Sequence, residues 1–123
     1  MTIEDLKQLC SSFPLAIEQH YGAPSNILTY SVYDKKFAYF KTSEPEQWRF
    51  SLRVTPERCL ELTDQNGIKP ARYMHRFHWI SIVDVHLVPE AYLRDLVSWS
   101  FEKAVASLTK KRQREIGVGF LPK

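Results

Sequence analysis

Apolar side chains recur along the chain with two different periods, and the changes of period divide it into elements. After Thr2, residues Ile3, Leu6, Leu9, Cys10 and Phe13 fall at the spacing of one helix face. Thr2 with Asp5 three residues on is a variant capping box, so a first helix is expected over residues 3–12. Pro14 disfavours helical backbone at Phe13, and the stretch leading through Gly22-Ala23-Pro24-Ser25-Asn26 reads as loop. Residues 27–33 are rich in β-branched and aromatic side chains, Asp34-Lys35-Lys36 can turn the chain, and residues 37–42 follow as a hairpin partner. Ser43-Glu44-Pro45-Glu46 breaks the run. From 47 to 54 the alternation is strict, with Trp48, Phe50, Leu52 and Val54 on one face and Gln47, Arg49, Ser51 and Arg53 on the other. This predicts a strand with one solvated face, and with Trp48, Phe50 and Leu52 buried together against the first and last helices.

Thr55-Pro56-Glu57 is a strong helix start, because Thr can cap, Pro lacks only a donor that would be orphaned there, and Glu suits the positive helix end. That helix should stop before Gly67. Residues 68–77 lack helical periodicity and read as loop, and the β-prone run 79–85 reads as a strand. Pro89 and Glu90 open a last helix whose apolar stripe of Leu93, Val97, Phe101, Ala104 and Leu108 carries it to about Arg114. The resulting order, α-β-β-β-α-β-α, describes an α+β two-layer sandwich: an antiparallel sheet with helices packed on one face. One domain is expected over residues 1–116, with 117–123 a short tail.

Composition agrees with a single core. The chain has 123 residues, 44% hydrophobic and 13% aromatic, enough apolar side chain to fold without a disulfide or a structural metal. Cys10 and Cys59 then behave as reduced, small core residues. No apolar run approaches the ~20 residues of a membrane span, and Met1-Thr2-Ile3-Glu4-Asp5 lacks the features of a signal peptide. A cytoplasmic monomer without membrane contact is the expectation.

Charge changes the picture more. The net charge is only +3, but residues 1–66 carry seven Lys/Arg against nine Asp/Glu, while residues 67–123 carry ten against five. Two stretches contain no acid: 67–83, with Lys69, Arg72 and Arg76, and 103–114, with Lys103, Lys110, Lys111, Arg112 and Arg114. Either can face a polyanion. His75 and Trp99 lie within or beside these cations and can stack on bases or sugars. Tyr92, Trp99, Lys103 and Lys110 share a stripe of the last helix, displaced from its apolar one, and Arg49 with Arg53 forms a third basic pair. Each has a plainer reading as core, cap or solvated face.

Catalytic signals are sparse. His75 and His78 offer two metal nitrogens, but three residues apart on an extended chain they point to opposite faces, and neither cysteine is near in sequence. There is no Gly-rich phosphate loop, nucleophile elbow or recognisable acid pair. A non-enzymatic protein without metal or cofactor is expected.

Two stretches carry a resemblance. Ile68-Lys69-Pro70-Ala71-Arg72-Tyr73-Met74-His75-Arg76-Phe77-His78-Trp79-Ile80-Ser81-Ile82, a Pro followed eight residues later by His-Trp and a strand, resembles the signature of the MmcQ/YjbR family. Leu93-Arg94-Asp95-Leu96-Val97-Ser98-Trp99-Ser100-Phe101 is similar to its C-terminal helix, with Ser before an aromatic in the middle. The resemblance implies a small bacterial two-layer α+β protein, similar in outline to frataxin-like and secretion-chaperone-like folds. It brings a DNA-binding label assigned by prediction and no catalytic residues. Two readings follow: a protein that binds double-stranded DNA through phosphate contacts from Lys69, Arg72, Arg76, Lys103, Lys110, Lys111, Arg112 and Arg114, and a protein-interaction or chaperone-like adaptor.

Overall fold

The computed structural model of the chain describes residues 1–71 and 77–117. Its elements are α1 (Ile3–Ser12), β1 (Ala16–Tyr21), β2 (Ile27–Val32), β3 (Lys35–Lys41), β4 (Phe50–Arg53), α2 (Pro56–Thr63), β5 (Ile68–Pro70), β6 (Trp79–Ile82), a short 3-10 turn (Val85–Leu87), α3 (Glu90–Ala106) and α4 (Lys110–Ile116). The strands form one antiparallel sheet in the order β1-β2-β3-β4-β6-β5. The α+β class is therefore as expected, and two strands join the expected order.

Local signals set the helix starts. The Thr2 hydroxyl accepts the Asp5 amide at 3.0 Å while the Asp5 carboxylate accepts the Thr2 amide at 3.2 Å, closing the capping box. Thr55 caps α2 in the same way, accepting the Arg58 amide at 3.1 Å ahead of Pro56.

Register makes the two faces of the sheet chemically different. Leu28, Phe40, Phe50, Ile82 and Ile68 line up across the strands, as do Tyr30, Ala38, Leu52, Ile80 and Pro70 two residues further on. Apart from the exposed Pro70, these rows form one core with Leu6 and Cys10 of α1, Leu62 of α2, and Leu93, Val97 and Phe101 of α3. The helices therefore share one face. Phe101 packs edge-on to Phe37 with centroids 5.1 Å apart and stacks on Phe13 at 4.6 Å, locking α3 to β3 and to the end of α1. Between these rows lies a polar one on the opposite face: Gln19, Thr29, Tyr39, Ser51, Ser81 and Lys69.

Four expectations change. Residues 16–21 and 68–70, read as loop, are the two edge strands β1 and β5. Both lack an alternating apolar pattern because an edge strand buries little. The expected 47–54 strand is only Phe50–Arg53. Trp48 lies before it with φ +68°, half-buried, edge-on to Phe40 at 5.9 Å and under the Lys7 ammonium at 4.2 Å, while Phe50 and Leu52 are fully buried as expected. Nor is the second face of β4 solvated at its centre: Ser51 is fully buried and its hydroxyl bonds that of Ser81 at 2.7 Å. β4 is an inner strand, and short serines are shielded by the larger Tyr39 and Trp79, which stack at 5.7 Å. The last helix, expected unbroken to Arg114, divides at residues 107–109 into α3 and α4, with Thr109 capping α4 through the Arg112 amide at 3.3 Å. Leu108 stays buried across the break, so the apolar stripe hides it. No helix among the described residues is long and apolar enough to cross a membrane.

Candidate functional site

A basic concavity opens where the strand ends meet α3. Asp34 from the β2–β3 turn, Lys35 and Lys36 from the start of β3, Arg53 from the end of β4, Phe77 ahead of β6 and Trp79 at its start, and Ser100, Lys103 and Ala104 of α3 with its C-cap Ser107 line a groove of about 380 Å³. Each is placed by the packing beneath it. Ser100, buried, donates to the Phe37 carbonyl at 2.7 Å and accepts the Arg53 amide at 3.2 Å, tying α3 to β3 and β4 and fixing Arg53 next to the Lys103 turn. Trp79 stacks on Tyr39, and the Lys36 ammonium stands 5.4 Å above the Tyr39 ring, a cation–π contact that holds the lysine over the sheet.

Four cations thus face one groove with a single carboxylate in its lining. That carboxylate is engaged from outside: Arg112 of α4 reaches Asp34 at 3.4 Å and covers the Tyr33 ring at 4.7 Å. The Tyr33 hydroxyl donates to Glu115 of the same helix, which raises its pKa, and this anchors α4 at the groove rim. Lys110, Lys111 and Arg114 are exposed on α4.

The residues singled out from sequence separate accordingly. The groove takes Phe77 and Trp79 from the first acid-free stretch and Lys103 and Ser107 from the second, but among the described residues no cation of the first stretch lines it. Lys103, Lys110, Lys111 and Arg114 are exposed, and Arg112 is committed to Asp34 and Tyr33. Lys69 lies on the polar sheet face but is bound to Glu46, 2.9 Å away, which also takes Arg49 at 2.8 Å. The two cations hold the Glu46 carboxyl below its usual pKa, Lys69 contributing most. Arg72, His75 and Arg76 lie outside the described residues. Trp99 is half-buried on α3 and does not line the groove, and the expected stripe from Tyr92 to Lys110 is interrupted by the helix break. Arg53 was recognisable only as half of a strand pair, and Lys35 and Lys36 only as turn residues. Nothing in their spacing announces that α3 will bring Lys103 opposite them.

Nucleophilic and metal chemistry find little support in the described residues. Burial pushes the Cys10 thiol pKa well up, and Cys59 also titrates above its ordinary range through burial. Among the described residues no group of three His, Cys, Asp or Glu side chains stands close enough to hold a metal ion.

Sequence comparison and one solved structure place the chain among known proteins. The YjbR family model matches residues 11–103. A protein of Escherichia coli K12 named "Uncharacterized protein YjbR" is 29% identical over 115 residues, 93% of this chain and 96% of that protein. A second, "Uncharacterized protein YbdF" of Escherichia coli O157:H7, is 38% identical over 71 residues, 56% of this chain and 57% of that one. The crystal structure of Deinococcus radiodurans protein DR2400, assigned to the DUF419 domain, superposes with a TM-score of 0.81 at 25% identity, covering 99% of this chain and 92% of that one.

Proposed function

The chain belongs to the YjbR family, and from that premise and the basic groove we propose that it binds double-stranded DNA through the phosphate backbone, without catalysis. The observation that carries the reading is the convergence of Lys35, Lys36, Arg53 and Lys103 on one groove whose carboxylate, Asp34, is already engaged by Arg112. Ammonium, guanidinium and hydroxyl groups are what phosphate oxygens require, and such contacts position a duplex without reading its sequence. Lys110, Lys111 and Arg114 extend the basic surface along α4. The proposal places the protein in the bacterial cytoplasm, with little sequence preference, since nothing in its sequence resembles a recognition helix with side chains matched to base edges.

Fluorescence anisotropy with a labelled random duplex tests this. If the groove and α4 engage about four phosphates, log Kd against log salt should have a slope of magnitude roughly 3 to 4. The exposed double variant K36E/K103E should flatten that slope and weaken binding at least tenfold while melting like the parent. Absence of binding at low salt with micromolar protein, or a double variant that binds like the parent, overturns the reading.

A protein-interaction role has its own observation: Leu15 just before β1, and Ile17 and Tyr21 within it, are 53%, 53% and 43% exposed. Apolar contact of that kind would be insensitive to salt, which separates it from the phosphate reading.

A further inference from the structure

The sheet ends differently on its two sides. β5 is three residues long and finishes at Pro70, a protected edge. β1 is six residues long, contains neither Lys nor Pro, is exposed at every position after Ala16, and has no strand on its outer side among the described residues. Such an edge is a template for another strand.

The backbone geometry narrows what that strand can be. The Thr29 hydroxyl donates to the Gln19 carbonyl at 3.2 Å, so Gln19 is turned toward β2, and alternation turns the amides and carbonyls of Glu18 and His20 outward. A second β1, antiparallel across a two-fold axis, must pair outward residues with outward residues. Setting Glu18 against its own counterpart opposes two carboxylates. Setting His20 against its own counterpart opposes two imidazoles and leaves Glu18 facing a glycine, the partner's Gly22. The register between them sets Glu18 against the partner's His20 and, by symmetry, His20 against the partner's Glu18. It also sets Ile17 against the partner's Tyr21, in both directions, and puts Gln19 on the axis. An imidazole can hydrogen-bond a facing carboxylate, here one that already accepts the Tyr30 hydroxyl at 2.6 Å, and β-branched–aromatic pairs are favoured cross-strand neighbours; of the three registers this one alone supplies both. It covers the most exposed apolar side chains of the strand, Ile17 and Tyr21.

We infer that β1 is a self-complementary dimerisation edge, pairing with β1 of a second copy in the register centred on Gln19 and joining the two sheets into one. This replaces the monomer expected from sequence, where the segment was read as loop. Isologous pairing of this kind is the commonest symmetry of soluble oligomers.

The register makes a positional test possible. Residues on the axis form a non-hydrogen-bonded antiparallel pair with Cα atoms ~4.5 Å apart, within disulfide range. Ile17 and its own counterpart are offset by four residues, ~13 Å, beyond that range. In a Cys59→Ser background, Q19C should therefore form a covalent dimer in a glutathione redox buffer at least tenfold faster than I17C, and sedimentation of the wild type should show a concentration-dependent monomer–dimer equilibrium. I17E, which sets a carboxylate against the partner's Tyr21 ring, should weaken that equilibrium at least tenfold without lowering the melting temperature, because Ile17 is exposed. K36E/K103E should leave it unchanged. A wild type that stays monomeric to submillimolar concentration, or Q19C and I17C that cross-link at equal rates, overturns the inference.

Discussion

At the scale of single residues, the polar side chains buried in this protein act as joints. Ser100 has 2% of its surface exposed, yet it satisfies the Phe37 carbonyl and the Arg53 amide together. Ser100→Ala leaves both backbone groups short of a partner and should cost about 1–3 kcal/mol, seen as a lower denaturation midpoint with unchanged slope. Glu46 is the corresponding surface joint. Its carboxyl titrates below its usual value because Lys69 and Arg49 favour the charged form, so the stability it contributes is present above its unfolded pKa and lost as the pH falls through the folded one. Glu46→Gln should therefore lower the melting temperature slightly on the neutral plateau and flatten its further loss in the acid limb below about pH 4.5, where parent and variant converge. The effect should be small, under ~1 kcal/mol, because Lys69 is half exposed and the contact is screened.

At the scale of elements, the division of the last helix matters most to the site. An unbroken helix to Arg114 would continue along the α3 axis. The break at residues 107–109 lets α4 turn back, bury Ile116 and bring Arg112 and Glu115 onto Asp34 and Tyr33. Thr109 holds that restart, accepting the Arg112 amide. Thr109→Ala should fray α4 at a cost of about 0.5–2 kcal/mol, checked by faster hydrogen exchange of the α4 amides while those of α3 stay protected. The same variant should weaken DNA binding modestly, since freeing Arg112 also returns the Asp34 charge to the groove.

At the scale of the whole molecule, one apolar face of a six-stranded sheet carries all the helices, and the opposite face carries polar, cationic and stacked aromatic side chains. The core is continuous from α1 to α4 and both cysteines are free. Neither a chelator nor a reductant should shift the melting temperature in differential scanning fluorimetry. A large fall with chelator would implicate a metal in holding the fold together.

Sequence by itself determined what depends on neighbours along the chain. The starts of α1 and α2 are written in Thr2, Asp5, Thr55 and Pro56, whose side chains and ring act within one turn. The inner strands are written in alternation, because burial against the helices selects every second residue, as at Phe50 and Leu52. The family resemblance was legible for a similar reason: Trp79, Ser100 and Phe101 are joints of the fold as well as parts of the resembling stretches. Only tertiary structure decided the rest. β1 and β5 pair by backbone hydrogen bonds that any side chain permits, so exposed edge strands leave no apolar pattern to read. The break before Thr109 is masked by Leu108, whose burial continues the stripe. The groove exists because Lys35 and Lys36, Arg53 and Lys103 meet across long sequence separations, and charge proximity between such residues is fixed by packing, which no local pattern of charge records.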